Sequence, residues 1–209
     1  MAAVDAVESR GRRRRATPTK GDRRERAILD AAEQQLGSDG YDRMTVATVA
    51  QAAGITRGAL YFYFGSKNEV LAALVERTVT ALRAEIDAAD DGAPPAQAVR
   101  QGLEQTARMW REHGTVMRAA VELSPTVPAI DAVWRSAVEA LADTMCRVAE
   151  RAGAPAGSGP RDAAAVTGAL VWMTERVFYQ ASASAGPDAL DGATDTLSHV
   201  WSRTLGLDR

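Results

Sequence analysis

From Asp22 to the C-terminus apolar residues recur at helical spacing, and no run alternates as a half-buried strand would. Ile28, Leu29, Ala32 and Leu36 share one face of a first helix, with Asp22 and Glu25 spaced as a capping box at its start and Gly37 to Gly40 as its stop. A short helix from Thr45 buries Val46, Val49, Ala50 and Ala53. Gly54 breaks it, and Thr56 is placed to cap a second short helix ending at Tyr63 or Phe64. Ser66 and Glu69 form another capping box, opening a long helix whose packing face is Val70, Leu71, Leu74, Val75, Val79, Leu82 and Ile86. Beyond the break at Gly92-Ala93-Pro94-Pro95 the pattern predicts a helix to His113, stopped by Gly114, and a shorter one from Thr115 to Ser124. A long helix follows from Val127 to Arg151, then a Gly/Pro/Ser-rich loop from Gly153 to Pro160. Two last helices run from Arg161 to Ser184 and from Pro187 to Gly206. The expected class is all-α with nine helices, divided into an arm (1–20), a compact three-helix unit (21–67) and a helical body (68–209).

Charge is distributed unevenly. Residues 1–67 hold 12 Lys/Arg against 8 Asp/Glu, a balance of +4, and residues 68–209 hold 13 against 19, a balance of −6, which together give the net −2. A basic front on an acidic body predicts that the front alone meets a polyanion. The arm carries Arg10 and Arg12 to Arg15 with no apolar period, and reads as disordered. It is either a solvated tail or a strand of arginines laid along phosphates or in a minor groove. A single cysteine, Cys146, excludes an intrachain disulfide framework. With only His113 and His199 beside it, no metal and no cofactor is expected. No apolar run approaches a bilayer span and residues 1–20 lack a signal-peptide core, so a cytoplasmic chain with no membrane partner is expected.

Thr45 to Phe64 reads TVATVAQAAGITRGALYFYF. Two helices that cross steeply need a small residue at the contact, a residue that accepts positive φ in the turn, and an apolar anchor on the second helix. Ala50, Gly54 and Leu60 meet these needs at offsets of four and ten. The second helix also carries polar tips at Arg57, Tyr61 and Tyr63 beside the small Gly58 and Ala59, a composition suited to close entry into a major groove. This stretch and its continuation Gly65-Ser66-Lys67-Asn68-Glu69-Val70-Leu71 closely resemble the tetracycline-repressor (TetR) family over about residues 22–82. The resemblance implies the nine-helix fold of that family: a three-helix DNA-binding unit with a helix-turn-helix, followed by a ligand-binding and dimerisation domain. It implies that Thr45 and Val46 meet phosphate, and that Arg57, Gly58 and Ala59 face base edges. Tyr61 and Tyr63 would reach bases or phosphates, and Lys67 would add its charge at a helix N-terminus. Ala47 stands where some relatives place a base-reading arginine, so specificity must lean on Arg57, the tyrosines or DNA shape.

In the body, three stripes follow helical spacing: Val99, Leu103, Thr106 and Trp110; Trp134, Val138, Leu141, Met145 and Val148; and Val171, Thr174, Glu175 and Phe178 with Tyr179 adjacent. Trp201 is placed to close one end, and Ile86 brings the fourth helix beneath them. A filled core and a ligand pocket share this periodicity, and both readings are open. Thr174-Glu175-Arg176, Phe178 and His199-Val200-Trp201 resemble the branch of the family that holds the mycobacterial repressor of the ethionamide-activating monooxygenase. That resemblance implies a long apolar tunnel lined by these stripes and a small hydrophobic effector. The branch uses two asparagines on the eighth helix as polar handles, and here those positions are Val171 and Thr174. Glu175 is open to two readings, an acceptor for a donor or cation on the ligand, or a salt bridge with a nearby arginine. A homodimer is expected through the last two helices, using Val166, Ala169, Leu170, Met173 and Val177 on one and Leu190, Ala193, Leu197, Val200 and Leu205 on the other. The function expected is a DNA-binding regulator, a repressor holding an inverted-repeat operator and released by a small apolar ligand. The alternatives are a non-switching architectural DNA binder and a helical-bundle enzyme. The last would need Glu-x-x-His pairs, yet Trp110 and Thr196 occupy the positions three before His113 and His199.

Overall fold

The computed structural model describes residues 19–89, 92–184, 186 and 188–208, and among them the chain forms nine α-helices and no strand. They are α1 (Lys20–Arg43), α2 (Val46–Ala52), α3 (Arg57–Tyr63), α4 (Lys67–Ala89), α5 (Pro95–Glu112), α6 (Gly114–Leu123), α7 (Pro128–Arg151), α8 (Ala163–Ser182) and α9 (Ala189–Leu205). The arginine run of the arm lies outside the described residues, as does Pro187, the expected start of the last helix.

Three helix ends differ from the sequence expectation. Thr19, not Asp22, caps α1: its hydroxyl accepts from the Asp22 N–H at 3.1 Å, and the Asp22 carboxylate accepts from the Thr19 N–H at 2.8 Å. Asp22 is thus the third-residue member of the box, with Thr19 three positions upstream as its cap. Gly37 does not stop α1. A lone glycine inside a helix costs only about 1 kcal/mol, and the path breaks instead at Gly40, where φ is +75° and ψ 168°. Gly114 opens α6 rather than closing α5. The turn is made by His113 at φ −119° and ψ 25°, whose N–H donates to the Met109 carbonyl at 2.8 Å.

The helix-turn-helix is closed by backbone bonds. Gly54, at φ +66°, donates to the Gln51 carbonyl at 3.1 Å, and Ile55 donates to that of Ala50 at 2.9 Å. These two bonds satisfy the last carbonyls of α2 and turn the chain sharply into α3. Ala50, Leu60 and Phe64 are buried behind the turn, against Ile28, Leu29 and Leu36 of α1 and Val70, Leu71 and Leu74 of α4.

Helix α4 crosses the boundary between unit and body without a linker. It packs against α1 at one end and against α5, α6 and α7 along its length. Halfway along, Arg77 donates to Asp30 at 2.6 Å and to Glu33 at 2.8 Å, both on α1. Glu33 also takes Nδ1 of His113, from the α5–α6 turn, at 2.5 Å. One ionic cluster therefore ties α1, α4 and the α5–α6 turn together. Around α4 the body is completed by α7 on α8, and by α5 and α8 on α9.

Candidate functional site

The exposed end of the three-helix unit gathers the residues expected to meet DNA. Thr45 and Val46 stand at the start of α2. The Thr45 hydroxyl is already engaged as a cap, accepting from the Thr48 N–H at 3.1 Å, so at this end the remaining orphan backbone N–H groups are what an anion would meet. Arg57, Gly58 and Tyr61 are exposed on α3, while Ala59 and Tyr63 are half-buried. Arg57 folds back along its own helix: Nη2 donates to the Tyr61 hydroxyl at 3.1 Å, with the guanidinium 5.4 Å from the ring centroid. Phe62 carries no role in the sequence reading, yet it is 85% exposed, and its ring meets that of Tyr63 edge-on at 5.5 Å.

Lys67 sits apart from α3, at the head of α4. Its ammonium lies 4.0 Å from the centroid of the Tyr41 ring and donates to the Tyr41 carbonyl at 3.2 Å. The Tyr41 hydroxyl in turn donates to the Asn68 side-chain oxygen. At this end the expected box is half made: Glu69 donates its N–H to the Ser66 hydroxyl at 3.2 Å, but its carboxylate accepts from the Gly65 N–H at 2.9 Å rather than from that of Ser66. Lys67 is thereby held in place rather than left loose in solvent.

The second site is a cavity of about 70 Å³ enclosed by α4, α5, α6, α7, α8 and α9. Of the residues expected to bind a ligand, Ile86, Val99, Leu103, Thr106, Trp110, Trp134, Val138, Leu141, Met145, Val171, Thr174, Glu175 and Trp201 line it. Phe178 and Tyr179 do not. Phe178 is fully buried in the packing behind the wall. Tyr179 lies edge-on to Trp110 at 6.5 Å and donates its hydroxyl to Glu122 at 3.2 Å, on the outer side. Residues missed by the stripes complete the lining, notably Met109 and Met117, with Val79 and Leu82 from α4. Gly102 leaves room that the Met145 sulfur, 4.0 Å from where a Cβ would sit, partly fills. A cavity of this size admits a few waters or a short apolar group, so a longer molecule enters only by moving the unbranched methionines and the aromatic walls.

The polar groups in the wall are few. Thr106 donates to the Gly102 carbonyl of its own helix at 2.7 Å. Thr174 donates to the Leu170 carbonyl at 2.8 Å and accepts from the Trp201 indole N–H at 2.9 Å. Glu175 is 8% exposed. One of its oxygens faces the Arg176 guanidinium at 3.8 Å, beyond a hydrogen bond, and the other is buried without a partner. Burial pushes the Glu175 carboxyl above its ordinary value, and Arg176 offsets part of that rise. Among the described residues no three His, Cys, Asp or Glu side chains group as a metal site requires, and no helix is long and apolar enough to cross a membrane.

Residues 28–74 match the model of bacterial regulatory proteins of the tetR family, and residues 99–205 match that of the C-terminal domain of the transcriptional regulator EthR. The HTH-type transcriptional regulator EthR of Mycolicibacterium smegmatis is 30% identical over 201 residues, covering 93% of this chain and 91% of that protein. Its counterpart from Mycobacterium tuberculosis is 32% identical over 210 residues, covering 96% and 94%. Among solved structures, a transcriptional regulator from Rhodococcus sp. RHA1 superposes with a TM-score of 0.71 at 21% identity, covering 86% of this chain and 96% of that one. Thermus thermophilus FadR, a TetR-family repressor solved with lauroyl-CoA, superposes with a TM-score of 0.63 at 20% identity, covering 84% and 92%. The chain belongs to the TetR family of bacterial transcriptional regulators, with an EthR-type C-terminal domain, and is a DNA-binding regulator rather than an enzyme.

Proposed function

We propose that this protein is a homodimeric repressor that grips an inverted-repeat operator with two copies of α3 and lets go when an apolar small molecule fills the cavity. One observation carries the reading: a single helix, α4, touches both sites. Its Lys67 end follows α3 by three residues and is fastened to Tyr41 of α1, and Val79, Leu82 and Ile86 farther along form part of the cavity wall. The nineteen residue steps from Lys67 to Ile86 span roughly 28 Å at 1.5 Å per residue. A ligand that pushes the wall outward tilts this rod and re-aims α3. A change of only ~1–3 kcal/mol between the two arrangements is enough for regulation.

In this reading Arg57 leaves Tyr61 to read a base edge, and Tyr61, Tyr63 and Lys67 reach phosphates, with the Thr45–Val46 turn on the flanking backbone. Phe62 lies flat against apolar base edges. One short helix reads too few bases to select a gene, which is the argument for a two-fold dimer on a repeated half-site. The small-residue and apolar face of α8 supports the dimer, because Ala169 and Trp172 are exposed and Val166, Met173 and Val177 are half-exposed in the single chain. The lauroyl-CoA bound by the FadR neighbour supports an elongated apolar effector in this architecture.

The test combines footprinting on DNA selected from random sequence with a panel of hydrophobic compounds. Two symmetric half-sites per bound particle are expected, together with compounds that raise the melting temperature and release DNA at the same concentrations. A monomer on one half-site refutes the dimer. Tight DNA binding that no cavity-binding compound relieves makes the protein a non-switching DNA binder instead.

A further inference from the structure

The wall of the cavity contains one unmet polar demand. Both hydroxyls there are engaged: Thr106 on its own helix, and Thr174 by both the Leu170 carbonyl and the Trp201 indole. The Thr174 hydroxyl therefore has no donor to spare for a ligand. The Glu175 carboxylate is different. It is more than nine-tenths buried, lines the cavity, and keeps one oxygen without any partner. A buried acceptor left bare costs free energy that a donor on a bound molecule recovers.

We infer that the effector is an apolar molecule ending in a hydrogen-bond donor, most strongly a protonated amine, that docks this end on the free oxygen of Glu175. The inference rests on the cavity being a ligand site and adds the chemical class of the ligand. The apolar body lies between Trp110, Trp134 and Met145, and the donor end meets the carboxylate. A carboxylate-ended molecule of the same length is rejected, since like charges would be forced together in a low-dielectric wall. An acceptor-ended molecule meets the same bare oxygen with no proton to offer it, and neither threonine hydroxyl is free to donate. Selection among apolar compounds of similar shape then follows the polarity of one end, as it does wherever a buried polar group must be matched.

The experiment uses the full-length protein and four compounds that share one skeleton: 4-phenylbutylamine, 4-phenylbutan-1-ol, its methyl ether and 4-phenylbutanoate. Calorimetric affinities at neutral pH should rank the amine and the alcohol at least about tenfold above the ether, with no binding of the acid. In Glu175→Gln the amine should fall to the level of the ether while the alcohol keeps its advantage, because the amide oxygen still accepts. In Glu175→Met both advantages should vanish while the ether binds within about threefold of its wild-type affinity. If the methionine variant does not fold, the glutamine variant and the four-compound ranking decide alone. Equal affinities across the series, a preference for the ether or the acid, or preferences that persist in Glu175→Met each overturn the inference and leave the cavity standing as a ligand site. Failure of all four compounds to bind, with no hydrophobic compound raising the melting temperature either, removes the cavity reading itself.

Discussion

Phe62 stands largely in water on α3, its ring set nearly at a right angle to that of Tyr63. A ring that exposed gains nothing for the free protein, and burying it against another surface is worth ~1.5–3 kcal/mol. Phe62→Ala should leave the melting temperature unchanged or slightly higher while weakening operator binding by roughly ten- to a hundredfold, read by anisotropy of a labelled operator. Equal operator affinity in the variant would make Phe62 a bystander. Glu175 gives a pH signature of opposite character. Its folded-state pKa is raised, so between the ordinary carboxylate value and the raised one the native chain binds more protons than the unfolded chain. Stability from this group is greatest at low pH and declines as pH climbs from the ordinary carboxylate value through the raised one. Glu175→Gln should therefore melt higher than the parent at pH 8, and the gap should close on acidification to pH 4. A gap that is constant with pH would place the proton elsewhere. At this scale the sequence was legible where side chains carry polar tips, as in Arg57, Tyr61 and Thr174. It was not legible for Phe62, whose ring in a short helix has the signature of core. Nor was it for Met109 and Met117, which fall between the stripes because cavity walls are drawn from several helices at once.

The helices themselves were readable from period and caps, and their errors are instructive. Thr19 and Asp22 both suit a cap in sequence, and only the reciprocal pair of bonds separates them. Gly40 and Gly37 look alike in sequence, and only the positive φ at Gly40 distinguishes a break from a tolerated glycine. What no pattern announced is the cluster of Arg77, Asp30, Glu33 and His113, joined from positions 44 to 80 residues apart. It fastens α1 to the middle of α4, between the cavity and the recognition helix. Being half-exposed, it contributes little to stability, about 0–1 kcal/mol per pair. Its position matters more than its strength. Arg77→Ala should keep ligand affinity within about threefold while reducing the ligand's effect on operator affinity by roughly three- to tenfold, since α4 then moves without dragging α1. The measurement is operator affinity with and without saturating ligand in both proteins. An undiminished ratio would show that the cluster is not part of the transmission.

For the molecule as a whole, the exposed small residue Ala169 offers a clean test of assembly. A long charged side chain there disturbs little in one chain, whose Ala169 is exposed, but would force apart two copies of α8 in the proposed dimer. Ala169→Arg should sediment as a monomer, melt lower at dilute concentrations, and lose at least about a hundredfold in operator affinity because the two half-sites are no longer bound together. Unaltered dimerisation would move the interface elsewhere. The cavity, finally, sets a clock. Some 70 Å³ does not hold an elongated guest, so the wall must open before or as the guest arrives. The pace of induction is then governed by how often methionine and tryptophan side chains swing aside rather than by how often a molecule collides with the surface. Adding more inducer speeds the response only until that opening frequency is reached. On the proposed function departure is slowed by the same wall, so a cell leaving exposure to the compound would stay derepressed for a time that its concentration outside no longer explains.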